Sequence, residues 1–151
     1  MSAFFLIAAG WALALPVNGT YDEKDHIARA YAVTTGQLTT DRTVVDRRDD
    51  RKPAFLVPAS LLPSNSNVDC AWSPRPARPA DCQRWTADRV RVLTPSGAAR
   101  YSPVYYLLVG APLVLAPNPT GILLARLISA LAAAALLAGA AGISDSSSLR
   151  P

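Results

Sequence analysis

The sequence predicts a mainly α-helical integral membrane protein, in which two transmembrane helices flank a long extracytoplasmic loop carrying an interfacial helix. Three observations predict it. Apolar residues gather at the two ends of the 151-residue chain, in 3–17 and 104–143, whereas a soluble globule interleaves them at periods of 2 or 3.6. Ten of the eleven acidic residues and thirteen of the fifteen Lys and Arg lie between those blocks. Residues 121–143 form an apolar run long enough to cross a bilayer. The small-residue faces Ala135-x-x-x-Gly139 and Ala138-x-x-x-Gly142 want helix partners and this chain has few to offer, so it reads as an incomplete multi-span bundle.

The first run, 3–17, spans about 22 Å if helical, and has no Lys or Arg before it. It therefore lacks the charged leading region of a secretory signal, and is read as an uncut first span missing its beginning. A cleaved leader, cut near Ala12-Leu13-Ala14, is the alternative. Next comes a helix over 22–35, with Asp22 as its N-cap, Asp25 three residues on in the manner of a capping box, and Gly36 as its stop. Its stripe of Ile27, Ala30, Tyr31 and Thr34 suits a membrane surface.

The loop, 18–103, is otherwise read as solvated. The stretch 39–55 is charged, 57–69 reads as turns, and one strand is expected over Val90–Leu93. Cys70 and Cys82 enclose three prolines, which exclude a helix, and a Cys70–Cys82 bridge would add about 3 kcal/mol in an oxidising compartment. The stretch 101–119 has three tyrosines at its entrance, suited to the membrane–water boundary, and is broken by prolines, giving an interfacial or re-entrant helix over 104–118. In the second span, 121–143, nine Leu and Ile outweigh Arg126, which sits near one end and can snorkel. Residues 144–151 form a cytoplasmic tail.

The chemistry is concentrated where the chain leaves the first span. Asp22, Glu23 and His26 are spaced three and four apart and share one helical face. A carboxylate there can act as a general base, while helix capping through the macrodipole explains the same acids without catalysis. A divalent metal could take His26 with Asp22 or Glu23, but a fourth ligand is not evident, and no cofactor is assigned. The net charge of +4 is small, and Arg47-Arg48 alternate with Asp46, Asp49 and Asp50. No basic stripe exists for a nucleic acid, and the basic tilt suits anionic lipid headgroups instead.

A first span ending at Pro16, then "YDEKDHIARAYAVTTGQL", "YSPVYYLLVGAP" and "ARLISALAAAALLA", resembles the bacterial multi-pass membrane proteins grouped as domain of unknown function 2142. These carry Asp-Glu-x-x-His after the first span, a Ser-Pro segment running into Tyr-Tyr before the next (here Ser102-Pro103-Val104-Tyr105-Tyr106), and Arg-Leu leading it. The same order is similar to the GT-C class of membrane glycosyltransferases, which use polyprenyl- or dolichyl-phosphate sugars. The resemblance covers both ends of the chain and little of 40–100. It implies Asp22 as the base that deprotonates an acceptor hydroxyl, with Glu23 and His26 positioning it. It also implies Arg126 as a phosphate ligand, against plain snorkelling. Membrane lipids, a polyprenyl-phosphate sugar and further transmembrane helices are the implied partners. The alternative is a non-enzymatic, membrane-anchored extracytoplasmic binding or structural module.

Overall fold

The structure, a computed structural model, describes residues 2–17, 19, 22–45, 51–63 and 83–148. Four helices and a small sheet make up this part: α1 (Ser2–Ala14), α2 (Glu23–Thr34), β1 (Thr43–Val45), β2 (Arg51–Pro58), β3 (Arg91–Pro95), α3 (Pro103–Leu115) and α4 (Pro119–Ser148). Short 3-10 turns follow β2 and β3. The expected Cys70–Cys82 bridge lies outside the described residues.

Helix α2 is the centre. It packs on α3 along one side and on the sheet along another, while α4 packs on both α1 and α3. Every residue from Ile27 to Val33 is buried. This corrects the reading of a surface-lying helix with one greasy stripe. The stripe is real, but the opposite face is built from Ala28 and Ala32, small enough for the sheet and loops to close over it. The end of α2 follows the expectation from Gly36. That residue takes φ +82°, and the Gly36 N–H donates to Val33 O at 3.1 Å while Gln37 N–H donates to Ala32 O at 2.7 Å. Together these form a Schellman closure, which satisfies two orphan carbonyls.

The sheet corrects the reading of the loop as solvated. Its order is β1-β2-β3, all antiparallel, with Val44 opposite Lys52 and Leu56 opposite Leu93. Phe55 and Val57 alternate inward and are fully buried against α2. The expected strand at Val90–Leu93 runs instead from Arg91 to Pro95. On its open side β2 is finished by a side chain. Gln37 donates its amide to Leu56 O and accepts from Leu56 N–H, both at 3.0 Å, and so stands in for one more strand residue.

Helix α3 starts at Pro103, where a missing N–H costs nothing. At the α3–α4 corner, Asn118 Oδ1 accepts from Thr120 N–H at 2.9 Å and Gly121 N–H at 3.3 Å, an N-cap for α4. Of α4, the 24 residues Pro119–Gly142 are long and apolar enough to cross a membrane, the one such helix among the described residues. They rise about 36 Å against a hydrocarbon core of about 30 Å. Helix α1 is also apolar, but its 13 residues rise only about 20 Å.

Candidate functional site

The beginning of α2 meets the first turn of α3 and the second and third turns of α4. Asp22 occupies the N-cap position, but its carboxylate makes no capping hydrogen bond. It turns to His26 instead, with Oδ2 at 3.2 Å from Nε2. The other imidazole nitrogen, Nδ1, lies 2.7 Å from Tyr106 Oη. An ionised Asp22 can only accept, so the network assigns the proton to Nε2 and leaves Nδ1 to accept from the Tyr106 hydroxyl. The result is a three-member chain running from a solvent-facing acid to a buried phenol. The Asp22 side chain is 60% exposed, that of His26 36%, and Tyr106 as a whole 3%.

Burial pushes the Tyr106 phenol up to about 12, reinforced by the nearby Tyr105 and Tyr101 and by Asp22, with Arg29 pulling the other way. The hydroxyl therefore stays protonated near neutral pH and available as a donor. Arg29 is buried below it. Its Nη1 donates to Leu38 O at 2.8 Å, its Nη2 donates to Tyr101 O at 3.1 Å, and its guanidinium lies 5.5 Å from the centre of the Phe55 ring. Burial lowers its pKa from the usual arginine value. Arg29 fastens the loop after α2 to the entrance of α3, and so sets the angle from which Tyr106 approaches.

The capping-box reading of Asp25 is also corrected. Asp25 Oδ2 accepts from Gly97 N–H at 2.9 Å, and its backbone carbonyl accepts from Ser96 Oγ at 2.7 Å. The acid holds the turn that leads into α3 rather than closing its own helix.

Glu23 parts company with Asp22 and His26. Its carboxylate meets Arg126 in a fork, Nε to Oε1 at 2.5 Å and Nη2 to Oε2 at 2.7 Å. Arg126 also donates to three carbonyls at the end of α1: Nη1 to Ala12 O at 2.9 Å and Leu15 O at 2.7 Å, and Nη2 to Pro16 O at 2.9 Å. A guanidinium has five N–H donors, and all five are engaged. Plain snorkelling is thus set aside, because the side chain turns into the protein. A phosphate at Arg126 would have to displace Glu23 or the α1 carbonyls.

Beside these groups a cleft of about 120 Å³ opens between α2, α3 and α4. Its floor is apolar, with Ile27, Val109, Leu113 and Ile122, and its rim carries Glu23, His26, Tyr106 and Arg126. The cleft is small beside the roughly 300–1,000 Å³ of a typical ligand pocket. Among the described residues, no three His, Cys, Asp or Glu side chains gather as a metal-holding group. The metal alternative loses one of its donors, since Glu23 is held by Arg126.

Of the residues singled out in the sequence, Asp22 with His26 form one contact group, and Glu23 with Arg126 form a second beside it. Tyr106 and Arg29 were missed as partners of this site. The Tyr-Tyr pair after Ser102-Pro103 was the available signal for Tyr106, but was assigned to the membrane boundary. Arg29, in the middle of an apolar helix, was the signal for itself. No curated protein and no solved structure matches the chain. A family model does, over residues 5–145, and nearly the whole chain therefore belongs to the family described as "Predicted membrane protein (DUF2142)".

Proposed function

We propose that this chain carries the acceptor-activating site of a GT-C-like glycosyltransferase. In this reading a sugar passes from a polyprenyl-phosphate donor to an acceptor hydroxyl at the outer face of the cell membrane. Asp22 is the general base, His26 holds its carboxylate, and Glu23 with Arg126 fix the first turn of α2 against the membrane helices. The observation that carries the reading is the state of Asp22. It is exposed, released from capping, and oriented by an imidazole that is itself held from behind. In this reading α4 is a membrane span, the shorter apolar α1 belongs to another, and the segment between them is extracytoplasmic. Further helices are expected to cover the outward faces of α3 and α4, where Leu107, Leu108, Leu136 and Leu137 are exposed. Polyprenyl-phosphate would approach from that side. Its phosphate would reach Arg126 only in exchange for a present acceptor.

The test is transfer in proteoliposomes of the full-length protein supplied with a polyprenyl-phosphate sugar. Asp22→Asn is expected to reduce turnover by a factor of about 10² to 10⁴, the usual contribution of a positioned base. An Asp22→Asn protein that turns over at the wild-type rate rejects the assignment. Topology has its own check. Lys24 and Lys52, the two lysines of the chain, both fall in the loop, so an amine reagent that cannot cross the bilayer should label them in intact cells. Protection until the cells are opened would put the site on the wrong face.

A second reading, the anchored non-enzymatic module, is favoured by one observation. The Glu23–Arg126 fork is saturated within the chain, which is how a structural tie looks. Loss of envelope integrity in a deletion strain, restored fully by the Asp22→Asn protein, would select it.

A further inference from the structure

Tyr106 belongs to a motif of the family resemblance, but neither that resemblance nor helical spacing pairs its hydroxyl with His26. It arrives from α3, eighty residues away in sequence, and reaches the nitrogen that faces away from the acid. We propose that Tyr106 is the positioning residue of the Asp22–His26 pair: its hydroxyl, seated on Nδ1, holds the imidazole so that Nε2–H points at the Asp22 carboxylate.

The argument is one of degrees of freedom. His26 has a side chain more than a third exposed, and Asp22 is more exposed still, so their contact alone would leave both free to rotate into solvent. An exposed pair four apart on a helix contributes little and orders little. Tyr106 is different because it is buried and has no freedom to follow. Its ring lies 5.9 Å from that of His26 and nearly parallel to it, at an interplanar angle of 19°. Tyr105, next along the chain, packs edge-on against Tyr106 and sends its own hydroxyl to Ser129 Oγ at 2.7 Å. The two adjacent phenols thus have separate tasks, one toward α4 and one toward His26. The protonation state suits the role, since a phenol kept neutral by burial remains a donor. The inference rests on the acid–base reading for its consequence, but its geometry can be tested without turnover.

The chain has a single histidine, so ¹⁵N-histidine labelling of this chain in lipid nanodiscs reports this ring alone. At a pH where the imidazole is neutral, the wild type should carry its proton on Nε2, with Nδ1 unprotonated and shifted as a hydrogen-bond acceptor. In Tyr106→Phe the Nδ1 resonance should move toward that of a free ring nitrogen. The Nε2 proton should exchange with water roughly five- to tenfold faster, the loss expected for one hydrogen bond. Tyr105→Phe, which removes the neighbouring hydroxyl, should leave both nitrogens where they were. A wild-type proton on Nδ1, or a Tyr106→Phe spectrum that superimposes on wild type, overturns the proposal. The first of these needs no variant to fold. Should the spectra come out as expected while no sugar transfer is found, the positioning stands and the transferase reading falls.

Discussion

Arg126→Ala lowers the stability of the folded protein in a membrane mimetic by about 3–5 kcal/mol, the cost of leaving a buried partner charge alone. The expectation follows from exposure. The side chains of Arg126 and Glu23 are only 16% and 13% exposed, so the abandoned carboxylate has little water to turn to. Three carbonyls at the end of α1 lose their donors at the same moment. The C-terminal end of a helix, negative through its unpaired carbonyls, is where a cation helps most. Helix α1 should therefore loosen from α4 first. Trp11 lies on α1 in the groove shared with α4, and with Trp72 and Trp85 replaced by Phe its fluorescence should report the loss before global unfolding. Denaturant titration read by that fluorescence measures both. The double variant Glu23→Met, Arg126→Met should recover more than half of the lost stability, because replacing both charges removes the unpaired one. A single-variant cost below about 1 kcal/mol, typical of exposed pairs, would mean that the tie is solvated and that α1 is not held by it.

What could be read from the sequence was local. The run at 121–143 announces itself through length and composition, and the end of α2 through one glycine, because each depends on neighbours within a few residues. The strand Arg51–Pro58 was hidden for an equally local reason. Its two inward residues, Phe55 and Val57, are too few to outweigh the charges of 46–52 beside them, and Pro53 and Pro58 read as turn signals. The candidate site was legible by half. Asp22 and His26 are four apart, and a helix brings them together without help. Their other partners are not local: Tyr106 is 80 residues from His26, and Arg126 is 103 from Glu23. No periodicity encodes such a meeting. The family pattern of Asp-Glu-x-x-His, Tyr-Tyr and Arg-Leu held all the names, but without the pairing. In particular, it grouped Glu23 with His26, whereas the fold turns Glu23 to the arginine.

Gly110→Ala should cost about 2–3 kcal/mol, at the upper part of the range for inserting a methyl into a packed site. A Cβ at this position would collide with Thr34 Oγ1 and with the carbonyl oxygen of Ala30, and would stand 3.0 Å from that carbonyl carbon. Thr34 can rotate away, but the Ala30 carbonyl belongs to the backbone of α2 and cannot. Removing the hydroxyl as well, in Thr34→Ala with Gly110→Ala, should therefore restore little. Gly139 provides the comparison on α4, since a Cβ there meets nothing within 4 Å. Gly139→Ala should be neutral or gain up to about 1 kcal/mol from helix propensity. The site consequence of Gly110→Ala follows from its position one turn after Tyr106 on the same face of α3. Relief of the collision moves α3 away from α2, and the Tyr106 hydroxyl with it, so the His26 nitrogen signals should change in the direction seen for Tyr106→Phe. If Gly110→Ala is as stable as Gly139→Ala, the two helices do not cross this closely, and the seat of Tyr106 against His26 cannot be as described.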